Sequence, residues 1–315
     1  MSISIDTVRA AAAHIRAYVH RTPVMTCHSL DERVGAQVFM KCENLQKVGA
    51  FKFRGACNAV FSLAATEAAH GVATHSSGNH AQALALAARL RGIPAYIVMP
   101  RNAPAVKQAA VAGYGGLITL CEPVLAARES TLAEIVAATG AAVVHPYNDA
   151  RVIAGQGTAA LELLEDVPDL DVIIAPVGGG GLLSGTAIAA KALAPRIRVL
   201  AAEPAGADDA FRSLAAGHIV PSLQPQTIAD GLLTSLGELT FPIIREQVEQ
   251  IVTVSDAAII DAMKFVWERA KLIVEPSGVT PIAALWEGKI DLCGLRIGVI
   301  LSGGNVDLEH LPWQA

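Results

Sequence analysis

The sequence predicts an α/β fold of two lobes, each a parallel sheet flanked by helices. Three observations carry this. From about residue 71, short apolar runs of strand type alternate with stretches of helical period. A second such series begins near residue 153. Val177 then leads straight into Gly178-Gly179-Gly180-Gly181, a strand-to-helix turn of the kind parallel sheets place at the carboxyl ends of their strands.

In chain order, residues 6–20 carry Val8, Ala12, Ile15 and Val19 at helical spacing, with Asp6 at the N-cap position. After Thr22-Pro23 comes a loop, then a strand over 37–42. The first series reads as strand 71–75, helix 79–90, strand 95–99, helix 105–112, strand 117–121, helix 125–138 and strand 142–144. The second reads as helix 153–165, strand 171–177, helix 182–193 and strand 198–203, with strand 297–301 closing the set. Such alternation requires parallel sheets covered on both faces, with ligands at the carboxyl ends of the strands.

Of the 315 residues, 52% are hydrophobic and 17% charged, with a net charge of −5. A large core without a basic surplus excludes nucleic acid as a partner class. No apolar run is long enough to span a membrane. The first residues lack the charged and apolar blocks of a signal peptide, and the five cysteines (27, 42, 57, 121, 293) include no Cys-x-x-Cys. We therefore expect a cytoplasmic protein without disulfides or structural zinc, with Cys42 and Cys293 as small core residues.

A strand feeding four glycines and then a helix presents bare backbone N–H groups and the positive end of a helix dipole to an anion. The plainer alternative is a tight turn requiring φ > 0, for which one or two glycines suffice. No register of Gly-x-Gly-x-x-Gly fits residues 178–185, although Glu203, ending the next strand, keeps a ribose-binding reading open. Gly185-Thr186 has no lysine before it, as a nucleotide P-loop needs. A smaller phosphorylated cofactor suits the loop better.

Three strand ends share one character: Ser76-Ser77-Gly78-Asn79-His80, the glycine run, and Ser302-Gly303-Gly304-Asn305. If the strands lie in one parallel sheet, all three ends meet at one edge. Ahead of them, Lys52 stands between Phe51 and Phe53. In a partly apolar pocket, desolvation would lower its pKa and leave a nucleophilic amine; a snorkelling lysine with a packed stem is the alternative.

These residues, with Ala154-Gly155-Gln156-Gly157-Thr158, Ala202-Glu203-Pro204, Thr227-Ile228-Ala229-Asp230-Gly231 and Val274-Glu275-Pro276, carry a resemblance. In order, from about residue 20 to 308, the chain resembles the pyridoxal-phosphate enzymes of fold type II, the tryptophan synthase β-like fold. Within them it is most similar to the serine racemase, threonine/serine dehydratase and threo-3-hydroxyaspartate dehydratase group. The resemblance implies a large cofactor-binding domain from residues 1–68 and 150–315, and a small mobile domain from 69–149.

Carried over by position, the resemblance implies that Lys52 forms the covalent link to pyridoxal phosphate and Phe51 covers one face of its ring. Asn79 would bond the phenolic oxygen, Gly178, Gly179, Gly180 and Gly181 the phosphate, and Ser302 the pyridine nitrogen. Ser76, Ser77, Asn79 and His80 would receive the substrate carboxylate at the helix start. A hydroxyl at Ser302 does not force protonation of the ring, which favours rapid loss of a β-substituent. Ser77 also corresponds to the second base of the racemases, a serine that the hydroxyaspartate dehydratases share.

Glu203, the carbonyl of Ala207 and Asp209 match a site for magnesium (or Ca²⁺ or Mn²⁺) in the racemase group, and oxygen ligands suit such cations. A polar loop is the alternative. Arg128 aligns with an arginine able to reach a distal carboxylate; a solvated helix arginine is the alternative. Tyr147 replaces an asparagine of animal racemases, and no regulatory domain is expected beyond Ala315. The implied activity is β-elimination from a β-hydroxy amino acid, 3-hydroxyaspartate narrowly ahead of L-serine and L-threonine, giving a 2-oxo acid and ammonia, in a homodimer. Amino-acid racemisation is the second reading, and a binding module without chemistry the third.

Overall fold

The computed structural model describes residues 3–314. Met1, Ser2 and Ala315, at the two ends read for a leader and for a further domain, lie outside the described residues. Ten strands form two sheets: β1 Val24–Met25, β2 Gln37–Cys42, β3 Val72–His75, β4 Ala95–Pro100, β5 Gly116–Cys121, β6 Ala142–Val143, β7 Val172–Pro176, β8 Arg198–Pro204, β9 Gln250–Val254 and β10 Arg296–Leu301. The six-stranded sheet has the order β1-β2-β10-β7-β8-β9, and the four-stranded one β5-β4-β3-β6. Every pairing is parallel except β1 with β2.

The large sheet is buried on both faces, which is why its strands read as continuous apolar runs. Alternate side chains of one strand go to opposite cores. Val172 and Ile174 of β7 join one cluster with Ile259, Val279 and Ile282, while Ile173 and Ala175 join the other with Ile153, Leu183 and Ile244. The four-stranded sheet is less evenly covered. Its inner face, with Val72 and Ile97, packs on Phe53 and Leu84, whereas the outer cluster is small: Ala73, Val98, Cys121, Leu132 and Ala141.

Several expectations need correction. The first helix is Ile5–Ile15, capped by Ser4, whose amide donates to Thr7 Oγ1 at 3.0 Å; it stops well short of residue 20, and Asp6 lies within it. The three polar strand ends are not in one sheet, since β3 belongs to the small sheet and β7 and β10 to the large one. They meet across the cleft instead. Cys42 is buried as expected but Cys293 is exposed, on the loop before β10. Gly155 of the Ala-Gly-Gln-Gly-Thr stretch serves a helix crossing. A Cβ there would lie 2.7 Å from Gly55 Cα, so the helices Lys52–Phe61 and Ala150–Asp166 can touch only without it.

Candidate active site

Strand β7 ends at Pro176, and Val177 still donates to the Ala202 carbonyl at 3.0 Å. The chain then turns through the glycines into the helix Gly181–Leu193, with Gly180 as its N-cap at φ +87°. All four glycines are buried, and among the described residues none of their amides has a protein partner. Buried N–H groups need an acceptor, and these lie at the positive end of a helix. A Cβ on Gly178 would come to 3.0 Å from Leu232 Cα, and one on Gly179 would fall inside the Tyr147 ring. The missing side chains therefore serve both close packing and access to the amides. Gly180 alone satisfies the tight-turn alternative.

Lys52 opens the helix Lys52–Phe61. The Phe51 amide donates to the Ser302 carbonyl at 3.0 Å, and Ala50 bridges to Gly303, so the lysine is tied to the end of β10. Lys52 Nζ donates to the Pro146 carbonyl at 2.9 Å and lies 5.2 Å from the Phe51 ring centroid. Burial brings its pKa down to about 8, against a smaller opposing pull from Glu275. Lys52 is thus half-buried and bonded to a carbonyl, unlike a snorkelling lysine.

Two residues further on, Arg54 anchors this helix. Its guanidinium donates to Glu43 at 2.7 and 2.8 Å and to Glu162 at 2.8 Å twice, and Lys41 Nζ joins Glu162 at 2.7 Å. Buried charges persist only when so fully paired. The Gly55 amide adds a bond to Gln156 Oε1 at 3.1 Å.

At the end of β3, Ser76 donates its amide to Val98 at 3.1 Å and the helix Asn79–Arg91 begins. The amides of Asn79 and His80 have no protein partner among the described residues. Asn79 Nδ2 donates to the Glu275 carboxylate at 2.9 and 3.2 Å, and its Oδ1 accepts from Asn305 Nδ2 at 2.9 Å. His80 differs from expectation. Its ring is buried, and Nε2 lies 3.1 Å from the Val144 carbonyl, which makes Nε2 the protonated nitrogen. Burial, and to a lesser extent the charge of Lys52, pushes its pKa down to about 3, so the ring is neutral, with Nδ1 buried and without a partner. His145 is likewise held down, to about 4, by burial, and its Nδ1 accepts from the Asn148 amide at 2.9 Å. Ser302 is buried at the end of β10, and its hydroxyl bonds no other described group.

Arg128 lies on the helix Leu125–Thr139 and is half-buried. Its Nε is buried without a hydrogen-bond partner, and no carboxylate pairs with its guanidinium among the described residues. Its charge reaches His75, the last residue of β3, whose pKa burial lowers while Glu129 and Arg128 act on it in opposite senses. The helix that carries the arginine packs against β3, the strand that leads into Ser76-Ser77.

Glu203 near the end of β8 lies close to Asp209, with Ala207 between them in the chain. The Glu203 oxygens accept from the amides of Ala210 and Phe211 at 2.8 Å each, which spends the carboxylate that a ribose would have used. Asp209 is fully buried and both its carboxylate oxygens lack a partner. Burial raises Glu203 to about 8 and Asp209 to about 6. Orphaned buried oxygens of this kind suit a hard cation. No group of three His, Cys, Asp or Glu side chains gathers among the described residues, so a third protein ligand would have to be the Ala207 carbonyl.

A family model described as pyridoxal-phosphate dependent enzyme matches residues 15–303. The chain belongs to that family. It is 54% identical over 309 residues to a beta-hydroxyaspartate dehydratase of Paracoccus denitrificans, covering 98% of each chain. It is 49% identical to an L-threo-3-hydroxyaspartate ammonia-lyase of Saccharomyces cerevisiae, over 95% of this chain and 92% of that one. The solved structure of maize serine racemase superposes with a TM-score of 0.97 at 51% identity, covering 100% of this chain and 97% of the other.

For a pyridoxal-phosphate enzyme the residues present fit the cofactor: a lysine of lowered pKa, a phosphate-sized set of partnerless buried amides, and a buried free hydroxyl. Pro146 was not singled out from the sequence, and Tyr147, Glu275 and Asn305 were named there only as a departure or within motifs, without these roles. Pro146 supplies the carbonyl to Lys52, Tyr147 packs into the glycine loop, and Glu275 with Asn305 holds Asn79. Glu275 had a visible signal, a lone carboxylate between an apolar run and the Pro276 that starts a helix.

Proposed function

We propose that this enzyme catalyses β-elimination from a β-hydroxy amino acid, with 3-hydroxyaspartate favoured over L-serine and L-threonine, releasing a 2-oxo acid and ammonia. The observation that carries the substrate preference is Arg128, a half-buried arginine on the helix packed against β3, with a buried, partnerless Nε and no carboxylate partner among the described residues. The two hydroxyaspartate-named relatives support the same choice.

In this reading Lys52 carries pyridoxal phosphate, with Phe51 beside its ring, Asn79 at the phenolic oxygen, Gly178 to Gly181 at the phosphate and Ser302 at the pyridine nitrogen. When bound, the cofactor supplies the electron sink for charge left at the substrate Cα. Ser76, Ser77 and the amides of Asn79 and His80 hold the α-carboxylate, and Arg128 the distal one. Lys52 Nζ, released by the substrate and with its pKa lowered to about 8, would take the Cα proton in its neutral form; the β-hydroxyl leaves as water on taking up a proton, and hydrolysis of the released enamine gives the 2-oxo acid and ammonia. Magnesium, or calcium or manganese, at Glu203, Ala207 and Asp209 would brace the end of β8. The lobe of residues 69–149 would move over the cleft, in keeping with its small outer core. We place the enzyme in the cytoplasm as a homodimer; its free cysteines suit a reducing compartment.

Ammonia release from L-serine, L-threonine and both 3-hydroxyaspartate diastereomers tests the assignment. Hydroxyaspartate should give the highest kcat/KM, and turnover of none of the four would refute it. Ser77 supports a second reading, amino-acid racemisation, since its hydroxyl could act as a second base near the substrate. Chiral analysis after incubation with L-serine decides it, because a lyase alone yields no D-serine.

A further inference from the structure

We propose that Glu275 is a positioning residue: with Asn305, it fixes the orientation of the Asn79 amide so that one Nδ2–H is left to face the cofactor's phenolic oxygen. This rests on the reading that pyridoxal phosphate is held at Lys52.

A side-chain amide has nearly the same shape after a half-turn, but the turn exchanges a donor for an acceptor. Beside a phenolate, the wrong orientation would oppose two electron-rich oxygens. Asn79 is not free to choose. Nδ2 faces Glu275, 2.9 and 3.2 Å from the two oxygens, and Oε2 also accepts the Asn305 amide at 3.1 Å, so this side presents acceptors. On its other side, Asn79 Oδ1 meets Asn305 Nδ2 at 2.9 Å. That nitrogen is itself fixed, because it also donates to the Val48 carbonyl at 2.7 Å. One hydrogen of Asn79 Nδ2 is used on Glu275, and the other has no partner among the described residues.

Glu275 is built to hold this orientation. Only 5% exposed, it precedes the helix Pro276–Trp286, donates its amide to the Gly303 carbonyl at 3.0 Å, and accepts the Asn305 amide on Oε2 at 3.1 Å. A Cβ on Gly303 would collide with Oε1, so the Ser-Gly-Gly-Asn turn leaves space for this carboxylate. The same turn binds the lysine segment, through Phe51 to Ser302 and through Gly304 to the Gly49 carbonyl at 2.9 Å. Glu275 thereby sets the head of the helix Asn79–Arg91 against the segment that carries Lys52.

A double-mutant cycle on the full chain tests this, read by equilibrium dialysis against graded pyridoxal phosphate and by the visible band of the lysine-bound cofactor. Glu275→Gln should weaken cofactor binding about tenfold and shift the band, because a glutamine presents a donor where two donors already point. In an Asn79→Ala background the same substitution should change affinity by less than about twofold. Equal losses in both backgrounds, or an unshifted Glu275→Gln protein, overturn the proposal. If Glu275→Gln does not fold, Asn305→Ala, at an exposed position, should weaken binding and shift the band in the same sense; unchanged affinity and band would overturn it. A visible band that survives Lys52→Ala overturns the cofactor assignment and this proposal together. A band lost with Lys52, combined with an additive cycle, overturns this proposal alone.

Discussion

Lys52 Nζ donates to the carbonyl oxygen of Pro146 across 2.9 Å, and Tyr147, the next residue, packs against the glycine loop. One short segment, 145–147, thus touches both the amine that would carry the cofactor and the backbone that would hold its phosphate. A carbonyl accepts a bond from the amine without requiring it to be charged, so the neutral form that burial favours loses little there.

The first prediction concerns pH. With its pKa lowered to about 8, Lys52 should react with added pyridoxal phosphate at a rate that rises with pH and levels off above about 8. An unperturbed lysine would keep gaining past pH 10. The stability sign follows from the same shift. Between about 8 and the ordinary value of 10.5 the unfolded chain binds more protons here than the folded one, so this group's contribution improves as pH rises through that window. Lys52→Met should therefore raise the Tm of the cofactor-free chain at pH 7 and abolish the visible band. Turnover should fall by about a thousandfold or more.

A second prediction separates the two uses of Gly179. Alanine there would force the Tyr147 ring out of its place and should cost about 1–3 kcal/mol in unfolding free energy. Adding Tyr147→Ala should recover most of that stability. If cofactor affinity recovers with it, the glycine served only the tyrosine; we expect it to stay low because the amides must remain open to phosphate.

The βα periodicity was legible wherever strands are buried on both faces, as in β7, β8 and β10, because burial leaves mostly apolar residues there. From residue 205 to 295 the sequence marks no strand or helix, for identifiable reasons. The helix Pro276–Trp286 is buried nearly throughout and contains Gly278 and Pro281, so neither period nor propensity marks it. Strand β9 is short and lies at a sheet edge, half alternating and half continuous. Cys293 sits among apolar neighbours of which Leu292 turns inward, and one residue of phase decided its exposure.

The site was legible in part because its residues are unusual where they stand: a lysine between phenylalanines, four glycines after a strand. Which strand ends meet was not, since sheet membership depends on pairings far apart in sequence. β3 and β10 start 224 residues apart in the chain, at Val72 and Arg296, and belong to different sheets, yet Asn79 and Asn305 just beyond them share a hydrogen bond. Arg128 was found only through alignment with relatives, because its helix is otherwise an ordinary exposed one.

The third prediction is for the cation. Exhaustive chelation should lower activity or Tm reversibly, with magnesium or calcium restoring it, and Asp209→Ala should remove the response. Asp209 is the informative position because its oxygens have no protein partner, whereas Glu203 already caps the helix Asp209–Ala216 and its loss would unfold that turn regardless of metal. A protein indifferent to chelation would leave Glu203 and Asp209 as parts of a polar loop.

The last prediction is the one on which substrate choice turns. Arg128 has no carboxylate partner among the described residues, and a buried Nε without an acceptor is costly to leave so. A substrate with a second carboxylate would supply that acceptor, and in bidentate form, which water or a serine hydroxymethyl group would not. Arg128→Ala should then cost about 2 kcal/mol or more in kcat/KM for 3-hydroxyaspartate, roughly thirtyfold, by removing one side of a desolvated charge pair. For L-serine the same substitution should change kcat/KM by less than about threefold, since no carboxylate waits for the guanidinium. Arg128→Lys should recover only a fraction, because a lysine keeps the charge and loses the fork. Equal losses for serine and hydroxyaspartate would make Arg128 a structural residue of the helix Leu125–Thr139, and the preference would then have to come from elsewhere in the cleft.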